Sequence, residues 1–213
     1  LFETAVQRGS DYAEVFYERG RARYLALDPR GALEDFEKAY AIDKSFIMAH
    51  YCAGKIYADV YRDYDKALEQ FDAMKAMDPD NEYSELGQAY VDLAKLRYED
   101  ALARCDRIAA QNDTIAEVWY IRGLAYQKSD RHRDPKKALE AYNQFLATRL
   151  DNPSAFLNRG DIRYALGDPD GAIQDYTAAL AVNPGYLWAL LNRGYVLYKE
   201  KNRVQEGLRD IEK

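Results

Sequence analysis

Ser154 to Pro184 reads SAFLNRGDIRYALGDPDGAIQDYTAALAVNP and describes two short amphipathic helices joined by a tight turn. In the first, Phe156, Gly160, Ile162 and Tyr164 punctuate a polar background. Gly167-Asp168-Pro169-Asp170-Gly171 is the turn, with a glycine to end one helix and a proline to begin the next. The second helix carries Ala172, Tyr176, Ala179 and Leu180 on one face, and Asn183-Pro184 stops it. Two helices this short cannot bury their own apolar faces, so neighbours of the same kind are required.

The rest of the chain supplies those neighbours. Glycines equivalent to Gly160 stand at Gly20, Gly54, Gly87, Gly123 and Gly194, at steps of 34, 33, 36, 37 and 34 residues through the series. The alanine opening each second helix recurs in step, at Ala32, Ala67, Ala101, Ala138 and Ala172. A bulky and a smaller residue follow each: Phe36 and Ala39, Phe71 and Met74, Cys105 and Ile108, Tyr142 and Phe145, Tyr176 and Ala179. This resembles the tetratricopeptide repeat (TPR) family, whose period is about 34 residues. The resemblance covers essentially the whole chain. It implies an all-α fold, a right-handed α-solenoid of antiparallel helix pairs in the form of a TPR superhelix.

The expected organisation is a single array. Residues 1–12 would end a truncated repeat, with Phe2 and Ala5 in the places of Phe36 and Ala39. Five repeats occupy 13–46, 47–79, 80–115, 116–152 and 153–186, and 187–213 is a partial sixth with Gly207 in place of the alanine. Repeat two has one extra residue before Ala67. Repeat four has an enlarged, charged turn, Ser129 to Pro135, expected to project. The sequence starts without methionine, so it is expected to begin inside a longer protein.

Composition suits an elongated array with much surface: of 213 residues, 48% are hydrophobic and 31% charged. A net charge of −6 opposes binding to nucleic acid or anionic membrane. No apolar run approaches the length of a membrane span. Cys52 and Cys105 occupy unlike positions in different repeats and are expected to be free thiols. The compartment stays open between cytoplasm and an extracytoplasmic space.

No motif for catalysis, metal or cofactor stands out. His50 and His132 lie in different repeats, with no metal spacing to a cysteine. Phosphate loops and nucleophile elbows are missing. Asp168, Asp170 and Gly171 suit a turn far better than a calcium loop. The chain therefore reads as non-catalytic and without cofactor.

What remains is surface. In the TPR family, first helices line a concave groove, which places Tyr17, Arg21, Tyr24, Tyr51, Lys55, Tyr120, Asn158, Trp188, Asn192 and Tyr195 along it. The front is aromatic and basic. The rear has two asparagines one repeat apart, able to pair with a peptide backbone, beside aromatics that offer contact area with few rotors. Tyr17, Tyr51 and Tyr120 also suit packing between repeats, and both asparagines suit helix–helix hydrogen bonding. Arg19, Arg122, Arg159 and Arg193, each just before a glycine, suit a structural task. The expected function is a protein-interaction scaffold that takes a partner peptide or helix in its groove. The alternatives are a homo-oligomeric scaffold joined through open repeat ends, or the docking region of a larger enzyme.

Overall fold

The computed structural model describes residues 12–201 and 203–211, and among them finds twelve α-helices, one π-helical turn and no strand. The helices are α1 (Ala13–Leu25), α2 (Pro29–Ile42), α3 (Ile47–Ile56), α4 (Tyr64–Met77), α5 (Glu82–Ala94) and α6 (Tyr98–Gln111), followed by α7 (Ala116–Lys128), α8 (Pro135–Leu146), α9 (Pro153–Ala165), α10 (Pro169–Val182), α11 (Leu187–Lys201) and α12 (Val204–Ile211). The chain divides into two compact units, Leu1–Lys95 and Leu96–Lys213. The first contains α1 to α5 and the second α6 to α12. The expectation for residues 1–8 lies outside the described residues.

Local chemistry sets the helix ends. Asp28, Asp63, Asp134, Asn152 and Asp168 cap α2, α4, α8, α9 and α10 by accepting backbone N–H groups from the first turn, at 2.9 to 3.1 Å. Proline follows the cap in α2, α8, α9 and α10, where its missing N–H goes unneeded. Three first helices end on a left-handed residue: Leu27 (φ 62°), Leu96 (φ 61°) and Gly167 (φ 84°).

One packing unit recurs inside the helix pairs of repeats one, two, four and five. The glycine of the first helix lies under the bulky ring of the second. A Cβ added to Gly160 would sit 2.6 Å from the Tyr176 ring, and one on Gly20 2.8 Å from Phe36. Phe71 is shared, because both Gly54 and Gly87 abut it. Repeat six inverts the economy: a Cβ on Gly207 would sit 2.6 Å from the Gly194 carbonyl, so α12 approaches α11 too closely for the usual alanine.

The arginines before the glycines fix the second helix. Arg19 grips Asp35 at 2.8 and 2.5 Å, Arg159 grips Asp175 at 3.0 and 2.6 Å, and Arg193 grips Asp210 at 2.6 and 2.8 Å. Arg159 and Arg193 also reach back one repeat, to Asn143 and Thr177. In repeat four the equivalent carboxylate is replaced by Ala141, and Arg122 turns back to Asp106. In repeats one and five a second arginine, Arg23 or Arg163, adds a 3.1 Å contact to the same buried aspartate.

The extra residue of repeat two is absorbed as the π-helical turn Tyr57–Tyr61, which ends on Arg62 at φ 56°. The turn 129–135 leaves Asp130, Arg131 and Arg133 exposed and is anchored to α6. Ser129 is buried, its Oγ accepts the His132 N–H at 3.0 Å, and Arg131 and His132 both reach Glu99 of α6 at 2.8 Å. A single carboxylate thus ties the charged turn down.

Candidate interaction surface on the first helices

Within the first unit, Tyr17 lies half-buried against Phe46 and Phe36, at centroid distances of 5.1 and 5.8 Å. Tyr51 meets Tyr83 at 5.4 Å and Phe71 at 6.2 Å. At the same position of repeat three stands Ser84, which is buried and bonded to the Phe71 carbonyl at 2.8 Å. The position three residues before the glycine is therefore set by packing, and the two tyrosines extend beyond it.

One turn on, side chains open to solvent. Arg21 is exposed and bonded to Glu18 at 2.9 Å, and lies over the Tyr17 ring. Tyr24 is 44% exposed. The Lys55 ammonium lies 5.8 Å from the Tyr90 ring centroid. Arg21, Tyr24, Leu25, Phe36, Cys52, Lys55 and Ile56 enclose a pocket of about 220 Å³ between α1 and α3. Its floor is apolar and two cations flank its rim. Burial pushes the Cys52 thiol and the Tyr24 phenol up from their ordinary values. Cys52 and Cys105 are both free, and burial pushes Cys105 up to about 12.

Within the second unit, Tyr120 is wedged against Phe145 at 5.1 Å and Tyr142 at 6.2 Å. Leu157 holds the equivalent place in repeat five and is buried. The asparagines are engaged by their own chain. Asn158 lies near the buried Tyr142 phenol and pulls it down against the burial that raises it, and the phenol donates to Gln127 at 2.6 Å. Asn192 donates to Asp161 at 2.8 Å, and Asp161 also accepts from Tyr176 at 2.9 Å. Burial raises the Asp161 carboxyl against the pull of those two bonds.

Trp188, Tyr195 and Tyr198 of α11 stand 61%, 46% and 55% exposed. Tyr195 packs edge-on to Tyr164 at 6.1 Å and accepts from Lys199 at 2.8 Å, which holds its phenol below the ordinary value. Tyr164 donates to Glu200 at 3.0 Å. Lys199 and Glu200 thus orient two tyrosines of the first helices. Neither was singled out from the sequence; their spacing of four and five residues from Tyr195 was the available signal.

Among the described residues no cluster of histidine, cysteine or carboxylate side chains could hold a metal ion. No described helix is long and apolar enough to cross a membrane.

A family model described as "Tetratricopeptide repeat" matches residues 130–186 and again 157–212. The same helix pair, with the same glycine-on-ring contact, recurs upstream of those matches. Residues 130–212 belong to the tetratricopeptide repeat family. "Tetratricopeptide repeat protein 13" of Homo sapiens is 28% identical over 111 residues, covering 51% of this chain and 13% of that protein. A TPR repeat-containing protein of Methanocaldococcus jannaschii is 24% identical over 194 residues, covering 83% of this chain and 33% of that one. The chain thus spans a third or less of these relatives. The solved structure "APC/C hetero-tetramer Cut9-Hcn1" superposes with a TM-score of 0.83 at 14% identity, covering 98% of this chain and 42% of that one. The TPR chain is accordingly an all-α helical-repeat solenoid, the architecture of a protein–protein interaction scaffold.

Proposed function

We propose that this TPR chain binds a partner peptide or helix on the exposed faces of its first helices and performs no chemistry itself. The observation that carries this reading is the preformed pocket between α1 and α3, apolar at its floor and ringed by Arg21, Tyr24 and Lys55. A preformed site spares the ordering cost that a flexible one would incur on binding. In the second unit Trp188 and Tyr195 offer large exposed rings on one helix, with Asn192 one turn from Tyr195. Aromatic side chains on a rigid helix are the usual energetic anchors of an interface.

In this reading Tyr17, Tyr51 and Tyr120 form the walls, and Asn158 and Asn192 hold the second unit's first helices in register while offering their remaining polar atoms. Nucleic acid is not a ligand, since the net charge of −6 repels phosphate. The hetero-tetramer named for the similar Cut9-Hcn1 structure is an assembly of protein chains, which agrees with a protein partner. Affinity capture with wild type, Tyr24→Ala/Lys55→Ala and Trp188→Ala/Tyr195→Ala tests the reading. A partner kept by wild type and lost by either variant supports it. Equal capture by all three removes it, and concentration-dependent mass of the purified chain would then favour self-assembly.

A further inference from the structure

The pocket between α1 and α3 opposes in charge the chain that carries it. The chain holds 36 acidic and 30 basic residues. Two of the residues that line the pocket are cations, Arg21 and Lys55, and none of them is acidic. Each cation directly follows the glycine of its helix, Gly20 or Gly54, so the two hold equivalent places one repeat apart.

Both cations keep bonding capacity. Among the described residues the Lys55 ammonium makes no hydrogen bond and no ion pair, and rests over the Tyr90 ring at 5.8 Å. Glu18 engages only Nη1 of Arg21, at 2.9 and 3.1 Å, and among the described residues nothing else takes the remaining N–H donors. The Arg21 and Glu18 side chains are 53% and 40% exposed, a setting in which an ion pair contributes little and yields to a competing carboxylate. The space sets the size of the guest. At about 220 Å³ it lies below the roughly 300 Å³ where small-molecule pockets begin, so it fits a bulky side chain of a longer ligand. Leu25, Phe36 and Ile56 give that side chain apolar walls. Complementary charge at the rim then selects the partner, through charge-assisted hydrogen bonds. We propose that this pocket reads an acidic–apolar step within the bound peptide: a bulky apolar side chain enters it, and a neighbouring aspartate or glutamate pairs with Lys55 and Arg21.

This inference rests on the docking reading above, and its test separates the two. Random linear dodecapeptides, displayed on phage through their C-terminal ends so that only side-chain acids are offered, are panned against the full chain. The pool is expected to be enriched in aspartate or glutamate beside leucine, methionine or phenylalanine. A selected peptide, made with both ends blocked, should lose about tenfold or more in affinity for Lys55→Gln, and as much for wild type when its acid becomes the amide. The peptide-side change reads the contact even where Lys55→Gln folds poorly. The bound peptide should also slow alkylation of Cys52 in the pocket, with the fully buried Cys105 as the silent reference. Peptides without acidic residues, whose binding is lost in Tyr24→Ala/Lys55→Ala, would overturn the acid pairing and leave docking on the first helices standing. So would peptides that leave Cys52 alkylation unchanged and are lost only in Trp188→Ala/Tyr195→Ala. Peptides that bind both double variants as well as wild type, or no selected peptide at all, would overturn both readings.

Discussion

Asn192 of α11 donates from Nδ2 to Oδ1 of Asp161 on α9 at 2.8 Å, and the same oxygen accepts the Tyr176 hydroxyl at 2.9 Å. One repeat earlier, Asn158 lies near the Tyr142 hydroxyl and pulls that phenol down against the burial that raises it. Asparagine occurs at this position only where the preceding second helix carries tyrosine. Where that ring is Phe36 or Phe71, or is replaced by Cys105, the position is Cys52, Glu85 or Ile121. Asn192 therefore braces the carboxylate that receives a buried phenol, and Asn158 stands near the equivalent ring. Asn192→Ala should destabilise the fold by about 1 kcal/mol, and much of that loss should vanish in an Asp161→Ala background. Urea denaturation of the four chains in this cycle measures the coupling. Strictly additive losses would break the link.

Gly160 admits no side chain under Tyr176, which is almost fully buried and held by its bond to Asp161. Alanine improves helix propensity by about 1 kcal/mol, but overpacking costs roughly 1–3 kcal/mol. Gly160→Ala should accordingly lower the melting temperature. Leu27→Gly should raise it, because Leu27 is 90% exposed and held at φ 62°, where a side chain costs about 1 kcal/mol or more.

Asp175 is buried beneath Arg159 and Arg163. Asp175→Ala strands two guanidinium groups at the packed face of α10, and breaking such a pair costs about 3–5 kcal/mol. The more exposed pair of Arg30 and Glu34 should tolerate Glu34→Ala with a change of about 0.5 kcal/mol or less. Thermal melts of the two variants check the contrast.

Burial pushes the Tyr40 phenol up to about 12 and raises Tyr142 and Tyr176 further. A phenol with a folded pKa above its unfolded value of about 10 holds its proton more tightly in the native state. The stability it contributes is complete below pH 10 and is lost as pH rises beyond it. The urea midpoint should therefore hold up to about pH 10 and fall from there toward pH 12. Phenolate absorbance should show a class of tyrosines that ionises only on unfolding. Native Cys105 should likewise resist a thiol reagent at pH 8 until urea is added, its thiol being pushed up to about 12.

The repeat was legible because glycine, alanine and ring recur at intervals that backbone geometry enforces. Arg19, Arg159 and Arg193 were readable as structural from their place before the glycine. Their partners Asp35, Asp175 and Asp210 follow the second-helix alanine or glycine by three residues, a periodicity that was visible but unused. The charges of the 129–135 turn face solvent, and only its anchor went unread, because Glu99 lies in the preceding repeat. Tyr17, Tyr51 and Tyr120 share a register with exposed residues of the first helices such as Arg21 and Tyr24. Only the neighbouring rings decide how much of each stays open. The pocket beside Tyr24 depends on Leu25 and Ile56, which no pattern distinguished from core.

The most direct measurement is calorimetric titration of the captured partner into wild type, Tyr24→Ala/Lys55→Ala and Trp188→Ala/Tyr195→Ala, each with matching helical content and melting. Truncating buried anchors should weaken binding by about 2 kcal/mol or more, roughly thirtyfold, in at least one variant. Unchanged affinity in both would contradict docking on the first helices and move the partner to the second-helix faces.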